Sequence, residues 1–116
     1  MSRFLPADHS KGDERTIGGY AAVHARPAAF EGRDGYSYSV EILADRSDDA
    51  AGPFGAFFLF VQWKRFGEQG VDGHLESPFL AYGHDAGSAR TALGSMDVVD
   101  VQRHLDDLIL ARGATG

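Results

Sequence analysis

The chain has no cysteine among its 116 residues. This absence excludes a disulfide framework, a thiolate zinc site, a catalytic cysteine and a redox-active cysteine pair. It fits a reducing compartment, and a cytoplasmic location is the default expectation. The chain also lacks the Gly-x-Ser-x-Gly turn of serine hydrolases and the Lys-Ser/Thr of a phosphate-binding loop, so we expect no cofactor and favour a protein that is not an enzyme.

Long apolar runs are missing as well. The longest one covers residues 54–61, whereas a membrane-spanning helix needs about 20 apolar residues. The first residues do not contain the apolar stretch of a secretory signal peptide. We therefore expect a small soluble domain with no membrane association.

Positive charge is scarce, since 11 Lys and Arg stand against 17 Asp and Glu, for a formal net charge of −6. A net-acidic surface repels the phosphate backbone of nucleic acids. General nucleic-acid binding is therefore not expected of this chain.

Hydrophobic patterning divides the chain into two parts. Residues 1–15 are mostly polar and show no periodicity, so we expect a flexible N-terminal leader. Residues 16–116 have the size and the patterning of a single α+β domain.

Four stretches alternate between apolar and polar residues, or are apolar throughout, and predict strands: 16–25, 36–44, 54–66 and about 71–82. The third stretch carries large apolar residues on both faces, which is typical of a central strand that is covered on both sides. Pro78 makes the middle of the fourth stretch an edge, a bulge or a break.

After Gly83 the apolar period changes from two to 3.6, which predicts two helices. Asp85 is a plausible cap for the first helix and Gly94 its end, whereas Asp97 would begin the second helix and Gly113 would stop it. The expected buried stripes are Ala89, Ala92, Leu93 and Met96, and then Val98, Val101, Leu105, Leu108 and Ile109. The predicted fold is α+β: a four-stranded antiparallel meander sheet followed by two C-terminal helices packed on one face.

Three residues form a candidate metal site. His74 and Glu76 are two apart on a predicted strand and so share one face, and His84 follows near the strand's end. With a further ligand from the fold they could hold zinc in a small metal- or ligand-binding enzyme. The alternative is a polar strand face turned towards solvent.

Aromatic and basic residues interleave at one place, as they do in platforms that stack single-stranded nucleic acid. The loop after the first predicted strand could extend this patch if it lies nearby. The candidate patch consists of Arg26, Phe30, Arg33, Trp63, Lys64 and Arg65. The alternative is the end of a core strand emerging into water.

The segment Tyr82-Gly83-His84-Asp85, followed by Ala89 and Leu93, resembles in outline the HicB-like antitoxin domains, in which strands lead into a short helix that begins after a glycine. The resemblance covers about a quarter of the chain and lacks the Leu-Pro-Gly before the turn. It implies a partner protein, a toxin that the domain would block.

The surplus of apolar strand residues favours a non-enzymatic module that binds a partner protein or assembles with itself. Two helices can cover only one face of a sheet, and monomers seldom leave a large apolar face in water. A twofold homodimer is the commonest cover, whereas the loop 27–35 or the leader would be the alternative. The candidate interface residues are Phe57, Phe58, Leu59 and Phe60, with Phe58 and Phe60 on one face and Phe57, Leu59 and Val61 on the other.

Overall fold

A computed structural model describes residues 6–64 and 70–115 of the chain. In this part the elements are α1 (Ile17–His24), β1 (Ala29–Glu31), β2 (Ser37–Arg46), β3 (Phe54–Trp63), β4 (Val71–Glu76), β5 (Ala81–Gly83), α2 (Ala86–Gly94) and α3 (Val98–Thr115). A short 3-10 helix, His9–Lys11, precedes them. The α+β class and the antiparallel sheet followed by two C-terminal helices are confirmed.

Within the described residues the sheet has five strands, where the sequence predicts four. Strands β1 to β4 lie in chain order, and each pairs antiparallel with the next. Strand β5 pairs with the beginning of β3, whereas β4 pairs with its end. The central position predicted for the third strand is therefore confirmed.

The predicted first strand is wrong, because residues 17–24 form helix α1. The Thr16 hydroxyl caps this helix by accepting a hydrogen bond from the Gly19 N–H at 3.0 Å. Gly18 lies so close to Gly94 of α2 that a Cβ at position 18 would sit 3.0 Å from the Gly94 carbonyl oxygen. Packing against another helix therefore decides the conformation of a segment rich in small residues.

The break predicted at Pro78 separates β4 from β5. The Ser77 N–H donates to the Phe58 carbonyl at 3.0 Å, and the Ser77 hydroxyl accepts from the Phe58 N–H at 2.9 Å. The serine thus satisfies the backbone of β3 at the point where the neighbouring strand stops. Strand β1, which the sequence does not predict, lies in the expected loop 27–35 and forms an edge of the sheet.

The two C-terminal helices lie where the sequence predicts them, but Ala92, expected in the buried stripe of α2, is exposed. The Asp85 carboxylate accepts from the Ser88 N–H at 2.6 Å and so caps α2, whose last residue is Gly94. Helix α3 runs to Thr115, so the stop predicted at Gly113 is wrong. None of the described helices combines the length and the apolar character that a membrane span requires.

The core lies between the helices and one face of the sheet, which we call the inner face. Phe58 and Phe60 of β3 are both 0% exposed there, beneath helical residues that include Val101 and Leu105. Even-numbered residues of β2, such as Val40, pair with them and face the same core. The centre of the inner face, around Phe58 and Phe60, is thus covered within a single copy of the chain.

Residues 6–15 have exposed side chains but make backbone contacts on the helical side of the molecule. The Asp8 N–H donates to the Val23 carbonyl, and the Val98 N–H donates to the Arg15 carbonyl, each at 2.8 Å. These bonds join the segment to α1 and to the start of α3. That the leader is flexible stays a prediction.

Candidate interaction surface

The face of the sheet opposite the helices, which we call the outer face, carries a ridge of large apolar side chains along β3. The ridge consists of Phe57, Leu59, Val61 and Trp63. Trp63 is 41% exposed, and the other three are partly exposed. Alternation along one strand therefore places an apolar ridge on the side of the sheet that no described helix covers.

Strand register gives the neighbours of the ridge. Leu43 pairs with Phe57 and is 36% exposed. Residues paired across an antiparallel sheet share one face, and each set of paired residues forms a row across the strands. One row consists of Glu41, Leu59 and Glu76, and the next row consists of Ser39, Val61 and His74. The ridge is flanked by carboxylates on one row and by a hydroxyl and an imidazole on the next.

The two ends of the ridge differ in shape. At the Phe57 end the Phe79 ring lies over Gly55, where a Cβ would collide with it, and its centre is 5.9 Å from that of Phe57. A groove of about 460 Å³ opens there, and its lining residues are Asp45, Phe57, Glu76, Ser77, Pro78 and Phe79. One end of the ridge is therefore a hollow bordered by two carboxylates.

The opposite end of the ridge, at Trp63, is exposed to solvent. The Trp63 indole N–H donates to the Ser39 hydroxyl at 3.0 Å, which holds the ring against the outer face. Val71, the partner of Trp63 in register, is 53% exposed. The outer face thus combines an exposed aromatic side chain at one end with a groove at the other.

The two alternative covers considered from the sequence lie elsewhere. Within the described chain, the loop 27–35 contributes edge strand β1, and residues 6–15 contact α1 and the start of α3. Neither segment is placed over the ridge of β3. In the part of the chain that the structure describes, the ridge is therefore partly exposed, although the Phe79 ring covers Gly55 beside its end.

The candidate interface residues divide between the two faces. Phe58 and Phe60 are buried beneath the helices and cannot contact a second copy, which corrects that part of the expectation. Phe57 and Leu59 belong to the outer ridge and remain accessible. The structure thus decides which of the two faces named from the sequence is open.

The candidate metal ligands do not form one site. His74 and Glu76 share an exposed face of β4, as predicted, but His84 lies beside Asp85, with 3.2 Å between Nε2 and Oδ2. Strand β4 pairs His74 with Val61, whereas β5 pairs near the start of β3, about 20 Å further along the strand. Among residues 6–64 and 70–115, no three His, Asp or Glu side chains are grouped to hold a metal ion.

The candidate nucleic-acid patch is divided by the sheet. Phe30 pairs with Tyr38 and packs against the core, whereas Trp63 lies on the outer face. The Arg26 guanidinium lies over the ring of Tyr20, a residue of helix α1, with 5.7 Å between the Arg26 Cζ and the ring centre. Lys64 and Arg33 are exposed, and Arg65 lies outside the described residues. The aromatic and basic residues of the patch therefore do not form one continuous surface.

One polar cluster is not predicted by any pattern in the sequence. The Tyr38 hydroxyl is buried on the inner face and donates to the Asp34 carboxylate at 2.7 Å. Arg112 donates to Asp34, to the Gln62 side-chain oxygen and to the Tyr38 hydroxyl, at 3.0 to 3.1 Å. These residues are far apart in the chain, and no local pattern connects them. Together they fasten the end of α3 to the end of the sheet.

The environment of Tyr38 alters its acidity. Burial, reinforced by the hydrogen bond to Asp34, raises the pKa of Tyr38 to about 12, and the nearby Arg112 opposes this increase. A phenol held in its neutral form donates a hydrogen bond and resists ionisation. The cluster is thus suited to holding two elements together rather than to transferring protons near neutral pH.

No protein-family model matches the chain, and no curated protein or solved structure is detectably similar to it. The resemblance to HicB-like antitoxin domains stays an expectation drawn from the sequence.

Proposed function

We propose that the protein is a non-enzymatic, self-assembling module that forms a homodimer through the outer face of its sheet. The observation that supports this proposal is the unequal treatment of β3, whose inner residues are buried by the helices while the outer ridge stays open. Exposed contiguous apolar surface is a mark of interaction sites. A second copy covers the ridge of the first with an identical ridge.

The size of the face fits this role. Strands β2 and β3 are each ten residues long and pair along nearly their whole length, with β4 and β5 beside them. At about 3.4 Å per residue and about 4.8 Å between strands, these three strand positions span a flat face of roughly 500 Å². The accessible surface of the side chains on this face exceeds its flat area, which brings it towards the roughly 800 Å² per partner that stable complexes bury.

The edges of the sheet are poorer routes to assembly. The edge strand β1 has three residues, and the pairing of β4 shifts register between Gln62 and Trp63. Short strands, bulges and charged side chains are the features that protect sheet edges from pairing with another chain. Strand β4 also carries Asp72 and Glu76 on its exposed positions. Face-to-face packing of two sheets is therefore favoured over extension of one sheet.

Light scattering coupled to size exclusion tests the proposal. The wild type is expected to give twice the chain mass of 12.5 kDa at micromolar concentration. Leu59→Lys places a charge in the middle of the ridge and should give a folded monomer, because an unpaired charge is costly to bury.

A matched control lies on the other side of the molecule. Val99 of α3 is 69% exposed, so Val99→Lys makes the same kind of change away from the outer face. This variant should remain a dimer. A wild type of 12.5 kDa at every concentration, or equal effects of the two lysines, would overturn the proposal.

A further inference from the structure

We infer that the two copies pack with their β3 strands antiparallel, so that Glu76 of each copy lies opposite the partner's His74. This inference rests on the proposed dimer and specifies its geometry. It assigns to His74 and Glu76 a role in setting the orientation of the interface. Their position on the outer face, one row apart beside the ridge, carries the argument.

Two arrangements with aligned strands bring the outer faces together about a twofold axis. In aligned packings of two sheets, as opposed to orthogonal ones, the strand directions stay within about 30° of each other, so the axis runs either across the strands or along them. An axis across the strands reverses the order of rows and keeps β4 over the partner's β4. An axis along the strands keeps the order of rows and places β4 over the partner's β2.

The axis across the strands gives complementary contacts. When it passes between the Leu59 and Val61 rows, Glu76 faces the partner's His74, and symmetry makes this contact twice. An imidazole N–H donates to a carboxylate, and a protonated imidazole adds an ion pair. On the other flank Glu41 faces the partner's Ser39, a hydrogen-bond donor. Each carboxylate of the row thus meets a donor.

The axis along the strands gives a conflict instead. The row that contains Glu41, Leu59 and Glu76 then faces the same row of the partner, with the flanks exchanged. Glu41 lies opposite the partner's Glu76 at both flanks. Like charges placed opposite each other at an interface are strongly unfavourable, so the row disfavours this orientation.

The shape of the outer face agrees with the antiparallel arrangement. Reversal of the rows brings Trp63 and Val71 over the partner's end of the ridge that contains the groove. The exposed indole then lies opposite the hollow beside Phe57, Pro78 and Phe79. A buried aromatic anchor in a pocket is the usual centre of binding energy. The parallel arrangement, whose axis runs along the strands, places the Trp63 indole over the partner's Trp63 indole and the groove over the partner's groove.

Two charge reversals separate the arrangements. In the antiparallel dimer, Glu76→Lys replaces an attraction to the partner's His74 and should weaken the dimer roughly tenfold, whereas Glu41→Lys faces Ser39 and should change the Kd by less than about threefold. In the parallel dimer either substitution creates a Lys–Glu pair and tightens the dimer. Both substitutions change net charge equally, so Glu41→Lys is the matched control for Glu76→Lys.

A second variant confirms that the contact runs between copies. His74→Glu should also weaken the dimer, because it places two carboxylates opposite each other, and the double variant His74→Glu, Glu76→Lys should return to within about threefold of the wild-type Kd. Sedimentation equilibrium gives each Kd, and thermal unfolding confirms that the exposed substitutions leave the fold intact. A Glu76→Lys dimer as tight as the wild type or tighter, or a double variant without recovery, would contradict the inference and leave the dimer standing. A monomeric wild type would overturn the dimer itself.

Discussion

The two faces of β3 carry the same kinds of residue but differ in burial. Phe58 and Phe60 are 0% exposed on the inner face, whereas Phe57 and Leu59, one residue away, remain partly exposed on the outer face. The helices α2 and α3 return to one side of the sheet alone. Residue type thus makes both faces of the strand apolar, and chain topology determines which of them the helices bury.

The largest expected effect contrasts neighbouring phenylalanines. Phe58→Ala should lower the free energy of unfolding by about 3–5 kcal/mol, because it leaves a cavity in the core. Phe57→Ala should cost less than about 1.5 kcal/mol in a single copy, since its ring already borders solvent. Urea unfolding at low protein concentration measures both values. Equal costs would show that the outer face is covered within one chain.

The helical side of the core offers a second contrast. Leu105→Ala, at a residue that is 0% exposed beneath the inner face, should cost about 2–5 kcal/mol. Asp107→Ala, at an exposed position of α3, should change the unfolding free energy by no more than about 0.5 kcal/mol. The comparison is made by thermal or urea unfolding. Similar losses would mean that α3 packs against the sheet with a different face.

The cluster around Tyr38 predicts a loss of stability in alkali. An unfolded tyrosine releases its proton near pH 10, whereas burial raises the pKa of Tyr38 to about 12 in the folded chain. Between these values the folded state holds more protons than the unfolded state, so stability falls as pH rises, by roughly 2–3 kcal/mol in total.

Tyr38→Phe isolates this contribution. The wild-type and variant unfolding free energies should stay a constant distance apart below pH 9 and then converge between pH 10 and 12. Curves that remain parallel through that window would show that Tyr38 ionises as freely as an exposed tyrosine.

Removal of most of the leader should have only a small effect. Deletion of residues 1–12 keeps the Arg15 carbonyl that accepts from Val98, and the side chains that it removes from the described leader are exposed. The expected change is within about 1 kcal/mol, measured by thermal unfolding. A larger loss would make the Asp8 contact with α1 a substantial part of the fold.

Much of the fold follows from local patterns. Alternation predicts β2, an apolar run on both faces predicts β3, the 3.6-residue period predicts α2 and α3, and the Asp85 cap is confirmed. Helix α1 was missed because Gly18, Gly19 and its alanines fit either period, so the Thr16 cap was the one clear local signal. A short segment of small residues takes its conformation from what it packs against.

The candidate surface was predictable only in part. Apolar residues on both faces of β3 indicated that one face would be left open, but which face depends on the side of the sheet to which the helices return. The cluster of Asp34, Tyr38, Gln62 and Arg112 forms only through tertiary contacts between β2, β3 and α3. Distant residues of this kind carry no common spacing that a sequence pattern could reveal.

The solvent access of Trp63 tests the central claim most directly. It is the only tryptophan of the chain and stands at the exposed end of the outer ridge. If two copies cover each other's outer face, acrylamide quenching of its fluorescence should fall, and its emission should move to shorter wavelength, as protein concentration rises through the dimer Kd. Leu59→Lys should keep the readily quenched signal at all concentrations. Quenching that is independent of concentration in the wild type, with Trp63 as accessible at high concentration as at low, would contradict the account.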